Sequence, residues 1–269
     1  MRTLLLLIVV ILSSAHAEDS IHGPRFGHNL TATSDVLAKG QCTIGLQLTS
    51  CGLSDHLTIG LSTWMLFDYK IAGVGARYLI SEDSEGRRFA VQASYFKNTR
   101  SIPAHRTYSK RPYEMEALWL AWIYTVPMTP YYRVHMNVDT NYYKDDEMPF
   151  SLRRPIPGRN QGQLNLSTLH EIELVKNWFM QTEIGFLDLV QSQQYVHAGF
   201  SLGQTTANYH WHMGYSMSAT VQALATATKR NDYQQELRET TAGYHQHMSR
   251  DKARRDYGLH PEFALQFFF

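Results

Sequence analysis

Long stretches in which apolar and polar residues alternate one by one constrain the fold of this chain more than any other feature. From Tyr209 to Val221, every second residue is apolar or aromatic, and the residues between them are His, Gly, Ser or Thr. Successive side chains of a β-strand point to opposite faces, so this stretch is predicted to be a strand with one apolar and one polar face. Similar alternation occurs at 57–67, 132–138, 178–186 and 195–203. The sequence therefore predicts an all-β protein.

The length of these stretches indicates which kind of β protein this is. They run for roughly 10 to 14 residues, whereas strands of soluble proteins usually have about 5 or 6. Strands of about that greater length cross a membrane in a closed barrel. The mean hydropathy is −0.33, and the longest apolar run outside the N-terminus, 117–126, is too short for a membrane helix. The prediction is an antiparallel transmembrane β-barrel. Tyr and Trp concentrate at the strand ends, as an interfacial girdle would require: Trp64, Tyr69, Tyr131, Tyr132, Trp178 and Tyr209.

The N-terminus has the organisation of a secretory signal peptide. Arg2 precedes an apolar run from Leu4 to Leu12, and small residues lead to Ala17. The run is about half the length of a membrane-spanning helix, so residues 1–17 are predicted to be cleaved. Residues 18–269 are then a single barrel domain. The whole chain has 25 basic and 24 acidic residues, and this balance argues against binding to nucleic acid.

The C-terminus adds a resemblance to a known class of proteins. Phe263, Leu265, Phe267 and Phe269 alternate with other residues, and the chain stops on an aromatic. This ending resembles the terminal strand of Gram-negative outer-membrane barrels. Residues 51–60 are similar to a hairpin that is common to uncharacterised barrels. The resemblance implies a location in the outer membrane, recognition of the strand ending at Phe269 by the barrel-assembly machinery, and contact with outer-membrane lipids and lipopolysaccharide.

The number of strands follows from parity. Eleven segments fit the strand template: 41–53, 57–67, 70–81, 87–97, 113–126, 130–142, 163–176, 178–189, 194–205, 208–224 and 259–269. A single-chain barrel of this kind has an even number, so twelve strands are preferred and ten are the alternative. The missing strand is predicted near Phe26–Val36, with Leu237–Ser249 ranked second. The first choice puts the short turns in the periplasm and the long loops outside.

The two cysteines are predicted to remain unpaired. Cys42 and Cys51 fall within one predicted strand, 41–53. Nine residues of extended chain span roughly 30 Å, which is too far for a disulfide.

Ionisable residues with the parity of the polar face are predicted to line the lumen. A binding or proton-linked cluster is one interpretation, since His and Glu can titrate or hold a cation. The preferred interpretation is a polar network that fills a narrow lumen, because charges are costly on the lipid face. The predicted lumen residues are Arg133, His135, Asp139, Glu171, Glu173, Glu183, His197, His210 and His212.

No cofactor is expected, and no metal site is predicted because the His-x-His pairs at 210/212 and 245/247 lack an identifiable third ligand. The first hypothesis for function is a porin-like, transport or structural barrel with a narrow lumen, since an open aqueous channel takes about 16 strands. A barrel enzyme acting on lipid or peptide is an alternative, and its candidate residues are His247 and Ser249, which form a His-x-Ser pair. A surface-binding protein that uses loops 98–112, 143–162 and 225–258 is the third. A run of basic residues without an acid between them, 97–111, overlaps the first of these loops. Contact with lipopolysaccharide phosphates is one interpretation, and a solvated loop is the preferred one.

Overall fold

The computed structural model describes residues 31–45, 48–62, 71–98, 115–145, 159–187, 189, 195–220 and 257–269. No helix long and apolar enough to cross a membrane occurs among them. The predicted signal peptide, 1–17, lies outside these residues. The strands are β1 (Cys42–Gly45), β2 (Leu48–Ser54), β3 (Leu57–Ser62), β4 (Ile71–Glu82), β5 (Arg88–Asn98), β6 (Met115–Thr129), β7 (Tyr132–Asp145), β8 (Arg159–Val175), β9 (Trp178–Leu187), β10 (Tyr195–Thr205), β11 (Tyr209–Thr220) and β12 (Tyr257–Phe268).

The twelve strands form one closed antiparallel barrel. Each strand pairs with the next in the chain, and β1 pairs with β12 to close the sheet. The all-β, twelve-strand prediction is therefore confirmed, and the ten-strand alternative is wrong. The Cys42 backbone N–H donates to the Phe269 carbonyl at 2.9 Å, and the Phe268 N–H donates to Asn208 in the β10–β11 turn at 2.8 Å. The C-terminus and the start of β1 thus lie at the end of the barrel that carries this short turn, called here the short-turn end.

Alternation along each strand separates an inner from an outer face. In β9, Gln181 and Glu183 are buried, whereas Ile184 and Phe186 are exposed. Phe179 interrupts the polar inner pattern, and it is fully buried inside the barrel. A Cβ atom at Gly203 of β10 would lie 2.6 Å from the Phe179 ring, so the glycine makes room for this inward aromatic side chain.

The prediction for the two cysteines is wrong. Cys42 and Cys51 form a disulfide, with their Cα atoms 4.1 Å apart. Residues 41–53 are two antiparallel strands, β1 and β2, that turn back between Gly45 and Leu48, and Cys42 is the register partner of Cys51. The alternation continues through both strands, which is why the sequence reads as one strand.

The same turn corrects the position of the missing strand. The twelfth strand comes from the division of 41–53 and not from Phe26–Val36, of which residues 31–36 are described and form no strand. The other candidate, Leu237–Ser249, lies outside the described residues. The comparison of loop lengths nevertheless pointed to the N-terminal half of the chain, where the extra strand lies. With this strand the count is even, so β1 begins at the short-turn end, where β12 ends.

Candidate functional site

A segment that precedes β1 lies inside the barrel. Residues Thr31–Leu37, called here the inner segment, are buried except for the half-buried Val36. The chain leaves the lumen at the short-turn end, where the Gly40 N–H donates to the Gly52 carbonyl at 2.9 Å and the Gly52 N–H donates to Gln41 at 2.9 Å. A Cβ at Gly52 would lie 2.1 Å from the Ala38 carbonyl oxygen. The glycine in β2 therefore lets the chain pass directly against the wall.

The inner segment is hydrogen-bonded to the wall along its length. Polar groups of six different strands take part, and the segment forms no strand of its own, so side chains of the wall satisfy its backbone groups. Arg77 of β4 and Arg88 of β5 bond to Asp35. The other bonds are Thr31 N to Glu183 Oε2 at 3.2 Å, Ala32 N to Asn137 Oδ1 at 3.2 Å, Asn137 Nδ2 to the Ala32 carbonyl at 2.9 Å, Ser34 Oγ to Thr125 Oγ1 at 2.7 Å, and Leu37 N to Thr58 Oγ1 at 2.7 Å.

Asp35 is held by three arginines, called here the arginine cradle. Arg133 donates from Nη1 and Nη2 to the two carboxylate oxygens at 3.1 and 3.0 Å, and Arg88 Nη1 donates to Oδ1 at 3.1 Å. Arg77 Nη1 donates to the Asp35 carbonyl at 2.8 Å. Burial alone would raise the pKa of the Asp35 carboxyl, but Arg133, His135 and Arg88 outweigh it and hold this pKa below its ordinary value.

Arg133 also ties the cradle to the neighbouring wall. Its Nε and Nη2 donate to Glu171 Oε1 at 2.9 and 2.6 Å. Glu171 accepts a further bond from Gln181 Nε2 at 3.0 Å. One buried guanidinium therefore bridges two carboxylates, of which Asp35 belongs to the inner segment and Glu171 to β8. Paired in this way, the charges avoid the large cost of burying an isolated ion.

An apolar patch explains why the inner segment lies against one side of the wall. Ala32 packs with Leu79, Ala90, Ala121 and Ile123 of β4, β5 and β6, and Val36 and Trp119 pack around them. Without the segment, this inner surface would face the lumen uncovered. Its burial is favourable by about 25 cal/mol for each Å² removed from water.

Asp139 organises a second polar group, on the wall itself. Its Oδ1 accepts from Trp119 Nε1 at 3.1 Å, from Asn141 Nδ2 at 2.9 Å and from Asn165 Nδ2 at 2.7 Å. These donors lie on β6, β7 and β8. The carboxylate therefore links three adjacent strands of the wall. None of these three bonds involves the inner segment.

A third group contains most of the predicted histidines. His197 of β10 pairs with Glu183 of β9, and both side chains are fully buried. On β11, His210 Nε2 and His212 Nδ1 are 3.0 Å apart, and Thr205 Oγ1 is 2.7 Å from His210 Nδ1.

The aromatic ring of Phe179 completes this third group. It stacks on the His210 ring with centroids 5.4 Å apart. The inward phenylalanine that breaks the sequence pattern is thus a packing partner for a buried histidine.

All nine predicted lumen residues are buried on the inner wall, but they do not form one cluster. Arg133 and Glu171 belong to the cradle network, Asp139 to the amide group, and Glu183, His197, His210 and His212 to the histidine group. Of the other two, His135 lies beside the cradle: its Nδ1 is 2.7 Å from Thr125 Oγ1, the atom that also bonds to Ser34 of the inner segment. Glu173 lies apart, where its Oε1 accepts from the Asn177 N–H at 3.1 Å in the β8–β9 turn.

Sequence reasoning missed Asp35, Arg77 and Arg88. The two arginines have the inner parity of β4 and β5, so the alternation test, applied to those strands, finds them. No comparable signal exists for Asp35, because residues 31–37 follow neither strand nor helix periodicity. Among the described residues, no three His, Cys, Asp or Glu side chains could hold a metal ion. His247 and Ser249 lie outside the described residues, as do most of the three long loops.

A cavity of about 600 Å³ reaches the cradle from the short-turn end. It is open to solvent, and its lining includes charged groups of both signs. Asp35, Arg88 and Arg133 lie in its wall with Glu82, Glu85 and Thr125. A small solute at this end of the barrel can therefore approach the arginines.

No protein-family model matches this chain, and no curated protein matches it.

Proposed function

We propose that this protein is an integral outer-membrane barrel with a narrow, polar, porin-like lumen that its own inner segment closes. The outer surface of the barrel is the observation that supports a location in the membrane. Large apolar side chains on it are between about 40% and 60% exposed, and they come from strands all around the barrel. A soluble monomer rarely exposes a continuous apolar surface of this extent, whereas a lipid-facing barrel requires one. Representative residues are Ile44, Leu61, Val74, Trp122, Val138, Leu166, Ile184, Phe200, Met213 and Phe263.

Aromatic side chains at the short-turn end agree with a membrane boundary. Tyr132, Trp178 and Tyr209 each begin a strand there, and Trp178 packs edge-on against Trp211 with ring centroids 5.6 Å apart. Tyr and Trp are enriched where a barrel meets the headgroups, because their rings are apolar with one polar atom. Of the predicted girdle, Trp64 and Tyr69 lie outside the described residues.

The lumen supports a selective or structural role and not a general pore. Barrels of about 8 strands are filled by side chains, and those of about 16 leave a channel. This twelve-strand lumen contains the inner segment and the three polar groups around it. Passage of a solute therefore requires that the inner segment move.

A substitution on the outer face tests the membrane part. Phe200 is at the middle of β10 and 49% exposed. Phe200→Arg should lower the free energy of unfolding of protein folded into lipid vesicles by about 2–4 kcal/mol, because the cation would lie near the bilayer centre. Phe200→Leu is the matched control and should change it by less than about 1.5 kcal/mol. Equal stability of both variants, with folding in buffer free of lipid and detergent, would contradict the proposal.

Planar-bilayer recordings test the porin-like part. The wild type should be mostly silent, because the inner segment and the polar side chains around it occupy the lumen, and loss of the Asp35 carboxylate should increase the conductance. A barrel that inserts but stays silent in both forms has a structural role instead.

A further inference from the structure

We propose that the arginine cradle is a binding site for a carboxylate-bearing solute, and that Asp35 occupies this site as a tethered internal ligand. As a statement about transport, this inference rests on the proposed function, whereas the binding itself does not depend on a membrane. The ligands expected for this polar lumen are therefore carboxylates.

The geometry at Asp35 is that of a bound carboxylate. Arg133 presents two N–H groups to the two oxygens, at 3.1 and 3.0 Å, and Arg88 adds a third bond at 3.1 Å from another strand. Two parallel N–H···O bonds from one guanidinium are the arrangement by which arginine selects planar carboxylates. Both arginines belong to the wall, so the site stays in place when the ligand leaves.

The inner segment can leave without opening the barrel. The sheet closes through β1 and β12, and the segment contributes no strand to it. Its bonds to the wall are made mostly to side chains, and these can hydrogen-bond to water once the segment is gone. Displacement of Asp35 therefore breaks contacts between the segment and the wall but no bond between strands.

Departure of Asp35 would leave the cradle with an excess of positive charge. Arg77, Arg88 and Arg133 face Asp35, Glu171 and Glu82, since Arg88 Nη2 also pairs with Glu82 at 3.0 Å. Removing one carboxylate from these three leaves one cation unbalanced. A buried cation without a partner is costly, so an anion from solution is favoured in the vacated place. The cavity at the short-turn end provides its route.

Chemical rescue tests the site directly. Asp35→Ala removes the carboxylate but leaves the arginines, and formate is the free anion closest to the group removed. In detergent micelles at neutral pH, sodium formate should raise the unfolding temperature of Asp35→Ala clearly more than sodium chloride at equal concentration does. In the wild type the difference between the two salts should be much smaller, because a free carboxylate must first displace Asp35 from the site.

Two further variants make the result specific. Asp83→Ala removes a carboxylate from the exposed β4–β5 turn at the same end, and it should show no preference for formate. In Asp35→Ala/Arg88→Gln, formate should bind about tenfold more weakly than in Asp35→Ala, since one charge-assisted bond is lost.

Equal shifts with formate and chloride in folded Asp35→Ala would overturn the proposal. If Asp35→Ala does not fold in micelles without added salt, the yield of the folded, heat-modifiable form is measured after refolding into micelles in each salt. A higher yield in formate supports the site, and equal yields contradict it. These measurements need no bilayer, so their failure is distinguishable from failure of the Phe200→Arg test.

Discussion

Asp35 and Asp139 are both buried carboxylates inside the same barrel, yet they connect different parts of the molecule. Asp139 accepts hydrogen bonds from donors on three adjacent strands. Asp35 belongs to the inner segment and accepts from arginines of the wall. The Asp139 group therefore stabilises the wall, and the Asp35 group joins the wall to a separate piece of chain. We therefore expect the stability of the barrel and the attachment of the inner segment to depend on different side chains.

Arg133 bonds both to the inner segment and to the wall, through Asp35 and Glu171. Its replacement should therefore have the largest effect on the stability of the barrel. Arg133→Gln leaves two buried carboxylates, Asp35 and Glu171, without their shared cation. The free energy of unfolding should fall by about 3–5 kcal/mol, measured by urea unfolding in micelles. The control is Arg87→Gln, whose partners Asp83 and Glu85 are exposed and whose effect should be within about 1 kcal/mol. Similar values for the two variants would show that the bridge contributes little.

A smaller effect is expected at Asp139, and it should be confined to the wall. Asp139→Asn keeps an acceptor oxygen but makes three charge-assisted bonds neutral. The free energy of unfolding should fall by about 1–3 kcal/mol. Access to the inner segment is measured by maleimide labelling of a cysteine placed at Ser34, which is fully buried. Asp139→Asn should leave the labelling rate of Ser34→Cys unchanged, and an increase would show that wall and segment are coupled.

Replacement of Asp35 is expected to have the smallest effect on the stability of the barrel. It should have the largest effect on the attachment of the inner segment to the wall. Asp35→Asn should lower the free energy of unfolding by only about 1 kcal/mol, because Arg88 keeps Glu82 and Arg133 keeps Glu171 as partners and both arginines line the open cavity. It should increase the labelling rate of Ser34→Cys roughly tenfold, because weaker bonding to Arg88 and Arg133 raises the population of the released segment. An unchanged labelling rate would contradict the role of Asp35 as the attachment point.

Most of the barrel could be predicted because a strand between an apolar and a polar environment must alternate at every residue. On β10, for example, Phe200 is exposed and Ser201 is buried. The same alternation puts the nine predicted residues on the inner wall. The turn between β1 and β2 could not be located in this way. The alternation does not change across it, and β1 has only four residues, so nothing in the pattern separates one strand of thirteen residues from a short hairpin.

The candidate site was less predictable than the wall. Parity gives the face of a side chain but not its neighbours on other strands, so it could not show which of the nine residues contact one another. Arg77 and Arg88 occupy inward-facing positions of β4 and β5, so the alternation of residues along these strands was enough to predict their location. The location of Asp35 could not be predicted in this way, because the inner segment is positioned by tertiary contacts to six strands and has no period of its own.

The short connection between Asp35 and the wall has a quantitative consequence. Six residues, 36–41, separate Asp35 from the first residue of β1. A ligand held on so short a tether behaves as though it were present at roughly millimolar concentration at its site. A free carboxylate of similar intrinsic affinity must reach that range before it displaces Asp35. The barrel would therefore respond to abundant anions and ignore scarce ones, with a threshold that the length of this connection sets.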